Sequence, residues 1–234
     1  MQCPRCFWLE ARLGIARPNG PPFRINTTID DLFKKEFDGY RAKSEPHPLM
    51  KEFSIDAIPM QHAKLDVWRE NFTGVSILHA ATNFWVYGAI DDLWVNSEGQ
   101  AVVADYKATA KASDVSIDSD WQIAYKRQME IYQWLLRQNG LNVSNIGYFV
   151  YANAVVDADG FFNRIDFRTK VIPYEGDDSW IEPALKTIKQ TLDDDTMPAV
   201  GNAAMGGVCD FCSYARTRTE LTINAINSRQ KPPK

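Results

Sequence analysis

The sequence contains no apolar run approaching the roughly 18 to 20 residues that a membrane-crossing helix requires. Its opening stretch, MQCPRCFWLEARLG, is broken by Arg5, Glu10 and Arg12, which the apolar core of a secretion signal would not tolerate. Both absences predict a cytoplasmic protein with no membrane partner. Positive charge is not in excess either: 26 Lys and Arg face 30 Asp and Glu, for a formal net charge of −4. Any nucleic-acid partner would therefore be held by local basic patches and not by a field spread over the whole molecule. There is no internal repeat. Histidine is scarce, with three residues, and cysteine nearly so, with four.

Those four cysteines are ordered. They fall as two C-x-x-C pairs, Cys3 with Cys6 and Cys209 with Cys212, one pair near each end. In a reducing compartment such pairs read as four ligands of one metal centre in preference to disulfides. A centre of that kind would join the two ends of the chain. With 45% hydrophobic and 24% charged residues, 234 residues suffice for one substantial core. The expected organisation is a single domain over 1–226, its core at about 26–175, metal-centre ends at 1–20 and 195–220, and a disordered tail at 227–234.

Along the chain, FWLEARLGI is short and amphipathic and is broken by the Pro- and Gly-rich RPNGPP. A helix is expected over NTTIDDLFKKEFDGYR, capped by Asn26, Thr27 or Thr28, with Ile29, Leu32, Phe33, Phe37 and Tyr40 along one stripe. SEPHPLMKEF reads as a loop and AKLDVWREN as a short helix. From Gly74 the pattern turns β-branched and aromatic, predicting three or four strands up to Ala108. A long helix follows over DSDWQIAYKRQMEIYQWLLRQNG, then a strand at NIGYFVYANA and a late helix at SWIEPALKTIKQTLDDD. Strands on either side of a long helix predict an α/β protein with a central mixed sheet flanked by helices.

The most informative stretch is GAIDDLWVNSEGQAVVADYKAT. NSEGQ suits a three-residue hairpin loop, with Gly99 in the left-handed conformation. Counting outward from Asn96 opposite Gln100 sets Asp91 against Asp105 and Ala89 against Lys107, all on one face, while Asp92 points to the other. Two opposed carboxylates repel unless a cation lies between them, and oxygen ligands favour Mg²⁺ or Mn²⁺. Lys107 on the same face is within reach of a metal-bound water or a phosphate oxygen gaining charge, as in phosphodiester hydrolysis. The same spacing also suits an ordinary salt bridge of either aspartate with Lys107 at a sheet edge.

GAID, then ADYK after a short hairpin, then QMEIY on a helix resembles the PD-(D/E)xK nuclease superfamily, in its RecB-like exonuclease branch, through the motifs G-x-x-D, D-x-K and Q-x-x-x-Y. The resemblance implies a restriction-endonuclease-like core and a metal-dependent deoxyribonuclease, more in the manner of an exonuclease on single-stranded or frayed DNA. It implies Asp91, Asp105 and the Tyr106 backbone carbonyl as metal ligands, Lys107 as the group that positions water and stabilises charge, and Gln128 and Tyr132 as strand contacts or supports. Gln128 and Tyr132 also suit an ordinary packing face. A first family motif belongs on the early helix, where Asp30 and Glu36 are the acidic candidates. His47, His62 and His79 match no motif.

Relatives in CRISPR spacer acquisition or recombination hold an iron–sulfur cluster with one cysteine before the core and three after it; here the division is two and two. Four thiolates suit either a [4Fe–4S] cluster or Zn²⁺, and the ending CDFCSYARTR resembles the cluster-binding end of the family. The resemblance thus implies a cluster with a structural role, and protein partners in DNA repair or spacer acquisition. A competing reading is a catalytically inactive DNA-binding or assembly module; a third is a metal-stapled RNA-binding protein.

Overall fold

The computed structural model of the protein describes residues 2–20, 24–203 and 206–229. In chain order the elements are α1 (Pro4–Leu13), α2 (Arg24–Arg41), α3 (Pro48–Glu52), β1 (Ile58–Pro59), α4 (Leu65–Trp68), β2 (Val75–His79), β3 (Phe84–Gly88), β4 (Asp92–Val95), β5 (Ala101–Thr109), a 3-10 turn at Asp120–Gln122, α5 (Ile123–Gln138), β6 (Ile146–Ala154), β7 (Phe167–Glu175), α6 (Ile181–Asp193) and α7 (Asp210–Arg229). The chain divides into two compact units, Pro22–Ile181 and the two ends, Met1–Pro21 with Glu182–Lys234.

The larger unit is built on a five-stranded mixed sheet in the order β1-β4-β5-β6-β7, in which β5 and β6 are parallel and the other pairs antiparallel. Strands β2 and β3 form a separate antiparallel pair. Helix α2 lays Phe33 and Phe37 on one face of the large sheet, over Trp94, Val102, Ala104, Tyr106, Val150 and Val171. Alternation sends Val103, Asp105 and Lys107 to the opposite face, where α5 runs so close over β6 that a Cβ on Gly147 would stand 2.4 Å from the Met129 sulfur. This is the α/β, restriction-endonuclease-like arrangement with helices on both faces of a mixed sheet.

The hairpin has the expected register: Val95 pairs with Ala101 and Asp92 with Ala104, and Gly99 takes φ +74°. The Gln100 carbonyl accepts from the Asn96 amide at 3.1 Å, closing the loop.

Several elements differ from expectation. Helix α2 begins at Arg24, so Asn26, Thr27 and Thr28 lie inside it, and the Thr28 hydroxyl donates back to the Arg24 carbonyl at 3.2 Å. The segment expected as a loop contains α3, started by Pro48 and capped by the His47 ring, which accepts the Leu49 amide. Strand β7 carries Pro173 in its interior, a residue that argues against a strand except at a sheet edge, and β7 is an edge. Helix α7 was not anticipated; its apolar residues Leu221, Ile223 and Ile226 are all half exposed or more and do not sort into one buried stripe. The expected tail from Asn227 starts within the last turn of α7, and residues 230–234 lie outside the described residues.

Candidate active site and four-cysteine centre

The site is assembled at the end of the β4–β5 hairpin. Asp91 immediately precedes β4, and one of its carboxylate oxygens accepts the Tyr106 amide at 2.9 Å. Asp105 is 1% exposed, and neither of its oxygens accepts a well-aligned hydrogen bond. The Lys107 ammonium lies against Asp105 as an ion pair. Lys107 also donates to Gln128 Oε1 at 3.1 Å, and Gln128 in turn donates to the Tyr132 hydroxyl at 2.8 Å. Residues from β5 and α5 thus form one continuous line: Asp105, Lys107, Gln128, Tyr132. The ammonium additionally sits 4.7 Å from the centre of the Tyr125 ring, a cation–π contact.

Asp30 from α2 belongs to the same neighbourhood. Its carboxylate takes Lys34 Nζ at 2.6 Å, Lys34 lies 3.8 Å from Asp91, and the other Asp30 oxygen is buried without a hydrogen bond. Glu36 is placed elsewhere: it is 58% exposed and bonded to His47 at 2.9 Å, not gathered with Asp91 and Asp105. Of the two acidic candidates on this helix, the structure brings only Asp30 to the aspartate pair.

The electrostatics follow from burial. Desolvation, then repulsion from Asp105, pushes the Asp91 carboxyl up to about 7, against the pull of Lys107, Lys34 and the Tyr106 amide. Desolvation likewise raises Asp105, opposed by Lys107, and raises Asp30, where Asp91 adds to the effect. Three neighbouring acids that resist ionisation, with one oxygen of Asp30 and one of Asp105 lacking both a hydrogen bond and an ion-pair partner, offer oxygen donors of the kind a hard divalent cation takes. Asp91 and Asp105 could hold such an ion with the carbonyl of Tyr106, which lies between Asp105 and Lys107 in β5.

Sequence reasoning did not find what Asp92 does on the opposite face. It is fully buried, and its carboxylate accepts from Arg41, from Arg69 at 2.6 Å, from the Leu93 amide at 2.8 Å, from the Trp94 indole at 3.2 Å and from the Tyr106 hydroxyl at 2.7 Å. Arg69 also grips Asp38 of α2 and the Asp91 carbonyl. This network ties α2 and the α4 segment to the root of the hairpin and so fixes the backbone that carries Asp91. The three histidines have structural contacts: His47 caps α3 and stacks on Phe37, His62 stacks on Trp68, and His79 bonds the Thr82 hydroxyl.

The cysteines form the second cluster, within the unit of the two ends. Their sulfurs all lie within 4.8 Å of one another, with Cys3–Cys212 at 3.7 Å, Cys6–Cys209 at 3.6 Å and Cys6–Cys212 at 3.5 Å. Both pairs are presented alike. Cys3 caps α1 and Cys209 immediately precedes α7, each carbonyl accepts the first helical hydrogen bond, and the second cysteine follows in the first turn. Burial raises the Cys3 thiol, but amide donors from Cys6 and Gly201 outweigh it and bring the thiol down to about 6. Cys6 and Cys212, desolvated and crowded by the other thiols, are raised. Among the described residues these cysteines are the one group of three or more such side chains drawn together closely enough to hold an ion as they stand.

Opposed carboxylates, one of them fully buried, and a lysine on one sheet face beneath a helix that orders the lysine are an arrangement that suits metal-dependent phosphodiester hydrolysis. Residues 28–217 match the PD-(D/E)XK nuclease superfamily, and the chain belongs to it; nucleases of this superfamily use divalent metals and act on DNA. No curated protein matches. A solved structure described as "Crystal structure of SSO0001" is similar at 20% identity over 53% of this chain and 49% of that one, with a TM-score of 0.30. The chain therefore spans about half the length of that structure. Among the described residues no helix is long and apolar enough to cross a membrane.

Proposed function

We propose that the protein is a Mg²⁺- or Mn²⁺-dependent deoxyribonuclease of the RecB-like branch, an exonuclease acting on single-stranded or frayed DNA ends. The observation that carries this reading is the half-buried Asp91 beside the buried Asp105, with Lys107 paired to one Asp105 oxygen and the other oxygen without a hydrogen bond. Asp91, Asp105 and the Tyr106 carbonyl would hold the ion, and Asp30 would reach it directly or through a water. A divalent ion held there would supply polarisation of a phosphoryl oxygen and a lowered pKa for a coordinated water. Lys107 supplies fixed positive charge where the phosphate gains negative charge, and Gln128 and Tyr132 hold it in place. Because the ammonium is already oriented in the folded protein, little reorganisation is needed as the reaction proceeds.

The preference for single strands is supported by the aromatic surface next to Lys107. Trp121 and Tyr125 pack edge to face at 5.5 Å, Lys111 lies 5.6 Å from the Trp121 ring, and Trp121 is 38% exposed. Rings and cations side by side suit unpaired bases and their phosphates.

The test is digestion of 5′- and 3′-labelled single- and double-stranded DNA with Mn²⁺, Mg²⁺ or EDTA, beside Asp105→Ala and Lys107→Ala. Expected are metal-dependent shortening from an end and its loss in both variants, with DNA binding retained by Lys107→Ala. Cleavage that persists in EDTA, or in both variants, would refute the reading.

A further inference from the structure

We infer that the four-cysteine centre takes a single tetrahedral Zn²⁺ and not a [4Fe–4S] cluster. The inference is independent of the nuclease reading and rests on the dimensions of the centre. A zinc ion bound to four thiolates at about 2.3 Å sets the sulfurs about 3.8 Å apart along each edge of the tetrahedron. Three of the six separations, 3.5, 3.6 and 3.7 Å, agree with that edge, and the others stay within 4.8 Å.

A cluster requires a different cage. Each thiolate binds its own iron, and bridging sulfides fill the corners between, so the cysteine sulfurs stand apart by the width of the inorganic core as well as by their own bonds. Here the sulfurs are near contact with one another, and Cys3, Cys6 and Cys209 are themselves the buried core of this region with Cys212 packed against them. The space they enclose is that of one ion.

The surroundings fit the same assignment. Four thiolates around Zn²⁺ carry a net charge of −2, and donors stand ready for it: the Gly201 amide reaches the Cys3 sulfur at 3.3 Å and Arg17 Nη2 the Cys209 sulfur at 3.6 Å. The start of a helix at each C-x-x-C pair adds its amides and positive dipole end. With four protein ligands the coordination is closed, so the ion serves the fold and not the reaction.

The test uses the full chain purified anaerobically from iron-supplemented cells, which gives a cluster every opportunity to form. Expected are one zinc per chain, no acid-labile sulfide and no visible absorption. Replacement by Co²⁺ should then give the strong visible bands and thiolate charge transfer of a tetrahedral sulfur site, lost in Cys6→Ser and retained in Asp105→Ala, which separates this site from the acidic one. About four irons and four sulfides per chain would overturn the inference. So would a metal-free chain that fails to take up one Zn²⁺ or Co²⁺ with those spectra.

Discussion

Gly88 lies directly against the ring of Tyr132: a Cβ at position 88 would stand 2.8 Å from Cε1 and 3.2 Å from Cδ1. The glycine that opens G-x-x-D and the tyrosine that closes Q-x-x-x-Y thus define one contact. Tyr132 is 8% exposed and has little room to retreat. Gly88→Ala should push the ring aside, loosen Gln128 and Lys107, and lower the cleavage rate at least tenfold while costing about 1–3 kcal/mol in stability. Nuclease assays alongside urea midpoints check this, and an unchanged rate would separate the glycine from the site.

Asp92 should matter for folding and Asp91 for cleavage. Asp92→Ala leaves the guanidiniums of Arg41 and Arg69, each with a side chain 10% exposed, without their shared carboxylate, and should cost about 3–5 kcal/mol. Asp91→Ala should abolish cleavage without that loss. Comparing denaturant midpoints of the two variants decides it.

The Asp91 carboxyl, raised to about 7, gives a pH signature in metal-free protein. An unfolded aspartate titrates near 3.9. The folded state therefore holds the proton more tightly, and the stability this contributes is full below about pH 4 and is lost as the pH rises through about 7. Wild-type protein should lose stability relative to Asp91→Asn between pH 5 and pH 8 in EDTA, and Mn²⁺ should narrow the gap at pH 8 by replacing the missing proton with positive charge. Parallel unfolding curves of the two proteins across that range would contradict it.

Asp30 and Glu36 separate cleanly. Asp30→Asn should raise the Mn²⁺ concentration needed for half-maximal cleavage tenfold or more, whereas Glu36→Gln, which alters only an exposed partner of His47, should leave it within about twofold of wild type. Metal titrations of activity distinguish them.

The hairpin was legible because its register is set locally: Asn96, Gly99 and Gln100 fix the turn, and the two-residue alternation then assigns Asp91, Asp105 and Lys107 to one face. The partners of Asp92 were not, since Arg41 and Arg69 lie 51 and 23 residues away and nothing local marks them. The choice between Asp30 and Glu36 was equally hidden. Six residues apart on a helix, they point about 120° apart, and only the packing of α2 on the sheet decides which faces the hairpin. Strand β7 was obscured by Pro173 and helix α7 by the lack of an apolar stripe, both being cases where position in the fold overrides the residue pattern. The C-x-x-C pairs announced a metal centre through spacing alone, but not its size, which depends on how closely two helix starts approach.

The adjacent acids Asp91 and Asp92 make the hairpin turn a selector. Sliding β4 by one residue along β5 would turn Asp92 to the face of Asp105, send Asp91 to the arginine side opposite Tyr106, and put Leu93 where Asp92 now meets the two arginines. The two arginines would then face a leucine, and Leu93 and Trp94, buried on opposite faces, together with the Asn96–Gln100 closure forbid the slide. A loop remote from Asp91 and Asp105 thereby decides which of the two adjacent aspartates stands with Asp105 and Lys107 and which is the rivet between the arginines.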